Sequence, residues 1–85
     1  MIKITRTDKF KKDYRKLPDQ IRQIANKQIV QLLIDHNHPS LNLEGIQGYK
    51  GLFSVRVNIQ YRISLNFSKE NETITLRRVL DHDDL

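Results

Sequence analysis

The stretch Gly51-Leu52-Phe53-Ser54-Val55-Arg56-Val57-Asn58-Ile59-Gln60-Tyr61-Arg62-Ile63-Ser64-Leu65-Asn66-Phe67 decides the fold. Phe53, Val55 and Val57 alternate with Ser54 and Arg56. Tyr61, Ile63, Leu65 and Phe67 alternate with Arg62, Ser64 and Asn66. A period of two marks strands with one buried and one open face. Facing residues of an antiparallel pair share a side of the sheet, and the connection Asn58-Ile59-Gln60 is odd in length. It therefore sets Val57 against Tyr61, Val55 against Ile63 and Phe53 against Leu65. The open face then sets Arg56 against Arg62 and Ser54 against Ser64. Ile74 and Leu76, alternating with Thr75 and Arg77, predict a third strand that adds Arg77 to the same face. Like charges directly opposed are destabilising. Guanidinium groups gathered in spite of that suit an anion, because their planar fork matches phosphate oxygens. The alternative is that they splay into water or pair with Glu70, Glu72 and the terminal aspartates.

Upstream the period changes. Ile2 and Ile4 alternate with Lys3 and Thr5, which predicts a short strand. Thr7 or Asp8 can cap a helix that carries Phe10, Tyr14 and Leu17 as a narrow apolar stripe on a basic surface. Leu17-Pro18 breaks it, and Pro18 suits the first turn of a second helix running to about Asp35, with Asp19 near its positive end. Ile21, Ile24, Ala25, Ile29, Leu32 and Leu33 form its broad apolar face. Val30 and Ile34 lie nearly opposite, where they either pack on the first helix or stand exposed as anchors for a partner. The order is β-α-α-β-β-β: an α+β fold with an N-terminal helical hairpin on one face of a largely antiparallel twisted sheet, as a single domain over residues 1–85.

The charge is uneven. The chain carries a net +5, and residues 1–27 alone carry +6; residues 49–80 carry +4, and Asp81, Asp83 and Asp84 close it at −3. Such an excess draws polyanions. There is no cysteine, which excludes disulfides and thiolate chemistry and is compatible with a reducing cytoplasm, the expected location. The N-terminus reads as neither a signal peptide nor a membrane span, and no membrane partner is expected. His36-x-His38 beside Asp35 offers no third metal ligand, and Gly45 and Gly48 do not make a nucleotide-binding fingerprint. His82 can exchange protons near neutral pH, since an unperturbed histidine titrates at about 6.5. Asp81 and Asp83 flank it as orienting carboxylates.

His38-Pro39-Ser40-Leu41, Gly51-Leu52-Phe53-Ser54-Val55-Arg56-Val57-Asn58, Tyr61-Arg62-Ile63 and Asp81-His82-Asp83 resemble, in that order, the RelE/ParE superfamily of toxins of bacterial type II toxin–antitoxin systems. Phe10-Lys11-Lys12-Asp13-Tyr14 and Leu17-Pro18 are similar to that family's opening, so the resemblance covers essentially the whole chain. It implies a helical hairpin on an antiparallel sheet, no cofactor or metal, and an acidic-tailed antitoxin as partner. The RelE-like branch implies a ribosome-dependent endoribonuclease that cuts mRNA in the ribosomal A site. The ParE-like branch implies a non-nucleolytic inhibitor of DNA gyrase, and a degenerate, inactive toxin is the other alternative.

By the same resemblance Arg62, Arg56 and His82 are the catalytic candidates. Arg77, Arg78, Lys50 and Ser54 are candidates for binding RNA phosphate, and Glu44, Asp81 and Asp83 are candidate carboxylates. Val30 and Ile34 are candidate antitoxin contacts. The sequence departs from the pattern at Ser54, where some members carry a basic residue. It departs again after Asp83, where many carry an aromatic and this sequence reads Asp84-Leu85.

Overall fold

The structure, a computed structural model, describes residues 2–81. The chain runs through β1 (Lys3–Arg6), α1 (Asp8–Arg15), α2 (Asp19–Ile34), a 3-10 turn (Pro39–Leu41), β2 (Glu44–Gly45), β3 (Leu52–Arg56), β4 (Tyr61–Ser68) and β5 (Thr73–Asp81). Five strands form one sheet in the order β1-β5-β4-β3-β2; β1 runs parallel to β5 and the other pairs are antiparallel. The β3–β4 ladder has the register that alternation predicts, with Val55 facing Ile63 and Arg56 facing Arg62. Asn58 closes the connection, its Oδ1 accepting from the N–H groups of Gln60 and Tyr61.

Local chemistry sets the helices. Thr7 caps α1, its hydroxyl oxygen accepting from the Phe10 N–H at 3.1 Å. Pro18 caps α2 through its carbonyl, and Asp19 forms an ion pair with Arg22 in the first turn. The core lies between the helices and one face of the sheet, where Phe10, Ala25, Leu32 and Leu41 meet Val55, Ile63, Leu65 and Leu76. Burying side chains of this size is worth about 1.5–3 kcal/mol each for the larger ones. Gln28 lies among them without penalty because its Nε2 donates to the carbonyls of Ser40 and Arg56, tying α2 to β3.

One expectation needs correction, and two points that the sequence leaves open are decided. The buried face of α2 is narrower than the apolar pattern suggests: Ala25, Gln28, Ile29 and Leu32 are buried, whereas Ile24 and Leu33 are exposed. Val30 (53% exposed) and Ile34 (74%) do not pack on α1. The eight-residue α1 meets the earlier part of α2, where the Tyr14 hydroxyl donates to Asn26 Oδ1, and ends short of them. The third strand runs past Arg77 to Asp81, because a bulge between two register segments returns Val79 to the core. Among the described residues no helix is long and apolar enough to cross a membrane.

Candidate functional site

The sheet face away from the helices is hollowed into a groove of about 910 Å³, floored by β3, β4 and β5 and lined by Ser54, Arg56, Arg62, Arg77 and Arg78. The backbone explains each placement. Arg56 and Arg62 face each other across β3 and β4. Ser64 pairs with Arg78 and Leu65 with Leu76, so Arg77 is the extra residue of a β-bulge. Both arginines of the doublet are therefore exposed.

The four arginines differ in what holds them. Arg62 is only 7% exposed. Its Nε donates to Ser54 Oγ at 2.9 Å, and its Nη2 donates to the Asn42 carbonyl at 2.7 Å and the Ser54 carbonyl at 3.2 Å. Asn42 can aim its carbonyl there because it adopts the left-handed region (φ 44°) after the 3-10 turn, which asparagine tolerates. Glu44 Oε2 lies 3.9 Å from Nη2 as a loose ion pair. Nη1 makes none of these bonds. No buried side-chain nitrogen or oxygen among the described residues lacks a partner, so Nη1 must reach solvent at the groove that Arg62 lines. The result is a fixed guanidinium presenting one edge.

Arg77 Nη1 donates to Asn66 Oδ1 at 3.2 Å, and Asn66 is steadied by its own donation to the Gly51 carbonyl. Arg78 turns back to α1. Its Nε donates to Asp13 Oδ2 at 2.7 Å, and that oxygen also accepts from the Val79 N–H at 3.0 Å. Burial pushes the Asp13 carboxyl upward, but the Arg78 and Val79 hydrogen bonds and the charges of Arg78 and Lys16 outweigh it and hold it below the usual carboxylate value. Asp13 in turn raises the Arg78 guanidinium. Arg56 has only its backbone carbonyl engaged, by Gln28, and its exposed side chain faces the groove.

The structure thus brings Arg56, Arg62, Arg77, Arg78, Ser54 and Glu44 together, and it does not bring in Lys50, which is absent from the groove lining. Ser54 holds Arg62 in place. Asp81 ends β5 opposite Tyr61 and accepts from Gln60 Nε2, and it too is absent from the lining. His82 and Asp83 lie outside the described residues. His38 is spoken for: its Nδ1 accepts from the Ser40 N–H and shares a 2.8 Å hydrogen bond with the Ser40 hydroxyl. Among the described residues no group of three His, Asp or Glu side chains is placed to hold a metal. Arg78 pairs with Asp13, a partner that sequence spacing does not reveal because it lies 65 residues away. Tyr49 and Ile59, both exposed, also line the groove and were not singled out by the alternation argument.

No protein-family model matches the chain, and no curated protein sequence matches it either. Solved structures do. A chain of the RelB–RelE antitoxin–toxin complex from Methanococcus jannaschii is 26% identical with a TM-score of 0.77, covering 94% of this chain and 92% of that one. The RelE–RelB complex of Pyrococcus horikoshii OT3 superposes at a TM-score of 0.82 over 99% and 98% of the two chains, with 11% identity. The YoeB/ParE toxin from Agrobacterium tumefaciens gives 0.81 with 16% identity, over 95% and 99%. The last two show the fold alone. The first adds 26% identity along nearly the whole length, and the chain is similar to RelE-like toxins of type II toxin–antitoxin systems.

Proposed function

We propose that the protein is a ribosome-dependent mRNA endoribonuclease whose substrate backbone lies in the arginine groove. The observation that carries this reading is the set of three guanidinium groups facing one hollow: Arg56, Arg77 and the Nη1 edge of Arg62. In the proposed reaction the 2′-oxygen of a ribose attacks the adjacent phosphorus and the bond to the 5′-oxygen breaks. The products are a 2′,3′-cyclic phosphate and a 5′-hydroxyl. Negative charge grows on the non-bridging oxygens as the fifth bond forms, and fixed guanidinium donors stabilise it more than they stabilise the ground state. A base must take the 2′-OH proton and an acid must supply one to the leaving oxygen. His82, next in sequence after the strand that carries Arg77 and Arg78, is the proposed proton carrier.

The test is a translation extract programmed with a defined mRNA. Fragments with 5′-hydroxyl ends should appear only when ribosomes engage the message, and Arg56→Gln and His82→Ala should each abolish them. Intact mRNA in the presence of folded protein would overturn the reading. Cleaved gyrase–DNA complexes in its place would substitute gyrase inhibition.

The proposed partner is an antitoxin, as in the RelB–RelE complexes that share the fold. An acidic amphipathic segment would neutralise the basic surface and rest apolar side chains on Val30 and Ile34, which stand out from α2. Raising salt should then slow association, and Val30→Asp or Ile34→Asp should speed dissociation. An on-rate indifferent to salt, with unchanged affinity for both variants, would refute it.

A further inference from the structure

The groove is not lined by cations alone. Tyr49 stands on its rim with 66% of its surface exposed. Its backbone is pinned. The Tyr49 N–H donates to the Ile46 carbonyl, the Tyr49 carbonyl accepts from Leu52 N–H, and the Ile46 N–H donates to the Leu52 carbonyl, closing the 46–52 turn on itself. Gly48 (φ 86°) and Gly51 (φ 79°) flank it in the left-handed region, where a side chain would be strained. The turn therefore holds Tyr49 at one end of β3, the end at which Gly51 receives Asn66 and Asn66 receives Arg77. The Arg77 guanidinium and the exposed Tyr49 ring thus lie toward one end of the groove.

We propose that Tyr49 is a base-stacking residue of this groove, taking the π-face of an unpaired nucleobase whose backbone phosphate is held by the arginine floor. The inference rests on the reading of the groove as an RNA site and narrows its ligand to single-stranded, unstacked nucleic acid. Charge alone accepts any polyanion. Paired with an aromatic platform, it favours a strand whose bases are free to turn outward. Tyrosine suits the task because its ring is rigid, with two side-chain torsions to fix.

The test separates stacking from charge. Binding of a labelled single-stranded oligoadenylate is compared with that of an oligomer of the same length carrying an abasic ribose in its centre, for wild type, Tyr49→Ala, Tyr49→Phe and Arg56→Gln. A circular-dichroism melt confirms that each is folded. Tyr49→Ala should weaken the base-bearing strand about five- to hundred-fold, the range for loss of one stacked base. It should leave the abasic strand and the salt slope as in wild type. Tyr49→Phe should restore binding. Arg56→Gln should weaken both strands and flatten the salt slope by about 0.7 per lost phosphate contact. Equal losses on both strands for Tyr49→Ala, or none on either, would overturn the stacking role alone. An unchanged slope for Arg56→Gln would overturn the groove reading and this inference with it.

Discussion

Two ladders of one sheet behave differently. Between β3 and β4 five pairs run in one register, from Leu52 opposite Asn66 to Arg56 opposite Arg62. Between β4 and β5 the register slips after Ser64, and one residue of β5 has no counterpart. The apolar pattern is the cause. Val55 and Val57 are two apart, as are Ile63 and Leu65, but Leu76 and Val79 are three apart, and both must reach the core. A bulge is the smallest distortion that lets them. The cations diverge as a consequence. Arg62, on a central strand with partners on both sides, is buried and bonded to neighbouring backbone. Arg77 and Arg78 stand beyond the end of β1 pairing, where β5 is an edge. That edge is covered by α1: the Thr7 hydroxyl donates to the Arg77 carbonyl, and Asp13 takes the Val79 N–H.

Deleting single residues of β5 should separate the two kinds of ladder most sharply. Loss of Thr75, paired in register with Asn66, turns Ile74 to the open face or drags Leu76 out of place. Removing one such side chain from the core costs about 2–5 kcal/mol, and the cooperative melt should disappear. Loss of Arg77 instead takes out only the extra residue and leaves Leu65 opposite Leu76 and Ser64 opposite Arg78 in a continuous ladder. That variant should still melt cooperatively, with a stability change in the ordinary range of about 0.5–3 kcal/mol. Two deletions that unfold alike would show that the bulge is required for folding.

Next in size is the contrast between Arg62 and Arg56, which face each other and carry the same charge. Arg62→Ala takes the guanidinium donors from the Asn42 carbonyl and the Ser54 hydroxyl, at a cost of about 2–4 kcal/mol in all. A domain of this size would lose roughly 10–30 °C in melting temperature. Arg62→Lys should recover little, because one ammonium nitrogen does not reproduce the planar fork by which Nε reaches Ser54 Oγ and Nη2 reaches the Asn42 carbonyl. Arg56→Ala should stay within about 0.5 kcal/mol of wild type. Equal melting temperatures for the two alanine variants would contradict the burial difference.

The fold was legible because periodicity carries it: alternation over 53–67 fixed a register that the structure repeats pair by pair, and Thr7 and Pro18 marked the helix starts. The gathering of Arg56, Arg62 and Arg77 on one face followed from the same parity. What the sequence could not show is which guanidinium is spent on structure. Asn42 reaches Arg62 from 20 residues away, and Asp13 reaches Arg78 from 65 away, contacts created only by folding. The bulge was readable in principle, since a spacing of two followed by three across Arg77-Arg78 is its signature. The exposure of Val30 and Ile34 depended on where α1 ends, which a hairpin pattern leaves open.

The smallest expected effect concerns the carboxylate that covers the β5 edge. Asp13 is depressed below its ordinary value of 3.8 in the folded protein, because its hydrogen bonds and neighbouring cations outweigh the cost of burial. A carboxyl whose folded value lies below its unfolded one binds protons more weakly when folded. It therefore adds stability above the unfolded value, and that contribution drains away as pH falls through the folded one. Melting temperature should thus fall on acidification below about pH 4, with Asp13 responsible for part of the slope. Asp13→Asn can still accept from Val79 N–H but cannot ionise, so its melting temperature should be lower at neutral pH and should converge on wild type in acid. Arg78→Gln should flatten the acid slope only in part, because the Val79 N–H and Lys16 still favour the carboxylate. The measurement is a series of thermal melts from about pH 7 to about pH 3 on the three proteins. Curves for wild type and Asp13→Asn that run parallel throughout would show that this ion pair at the sheet edge adds nothing to stability, as holds for many exposed pairs.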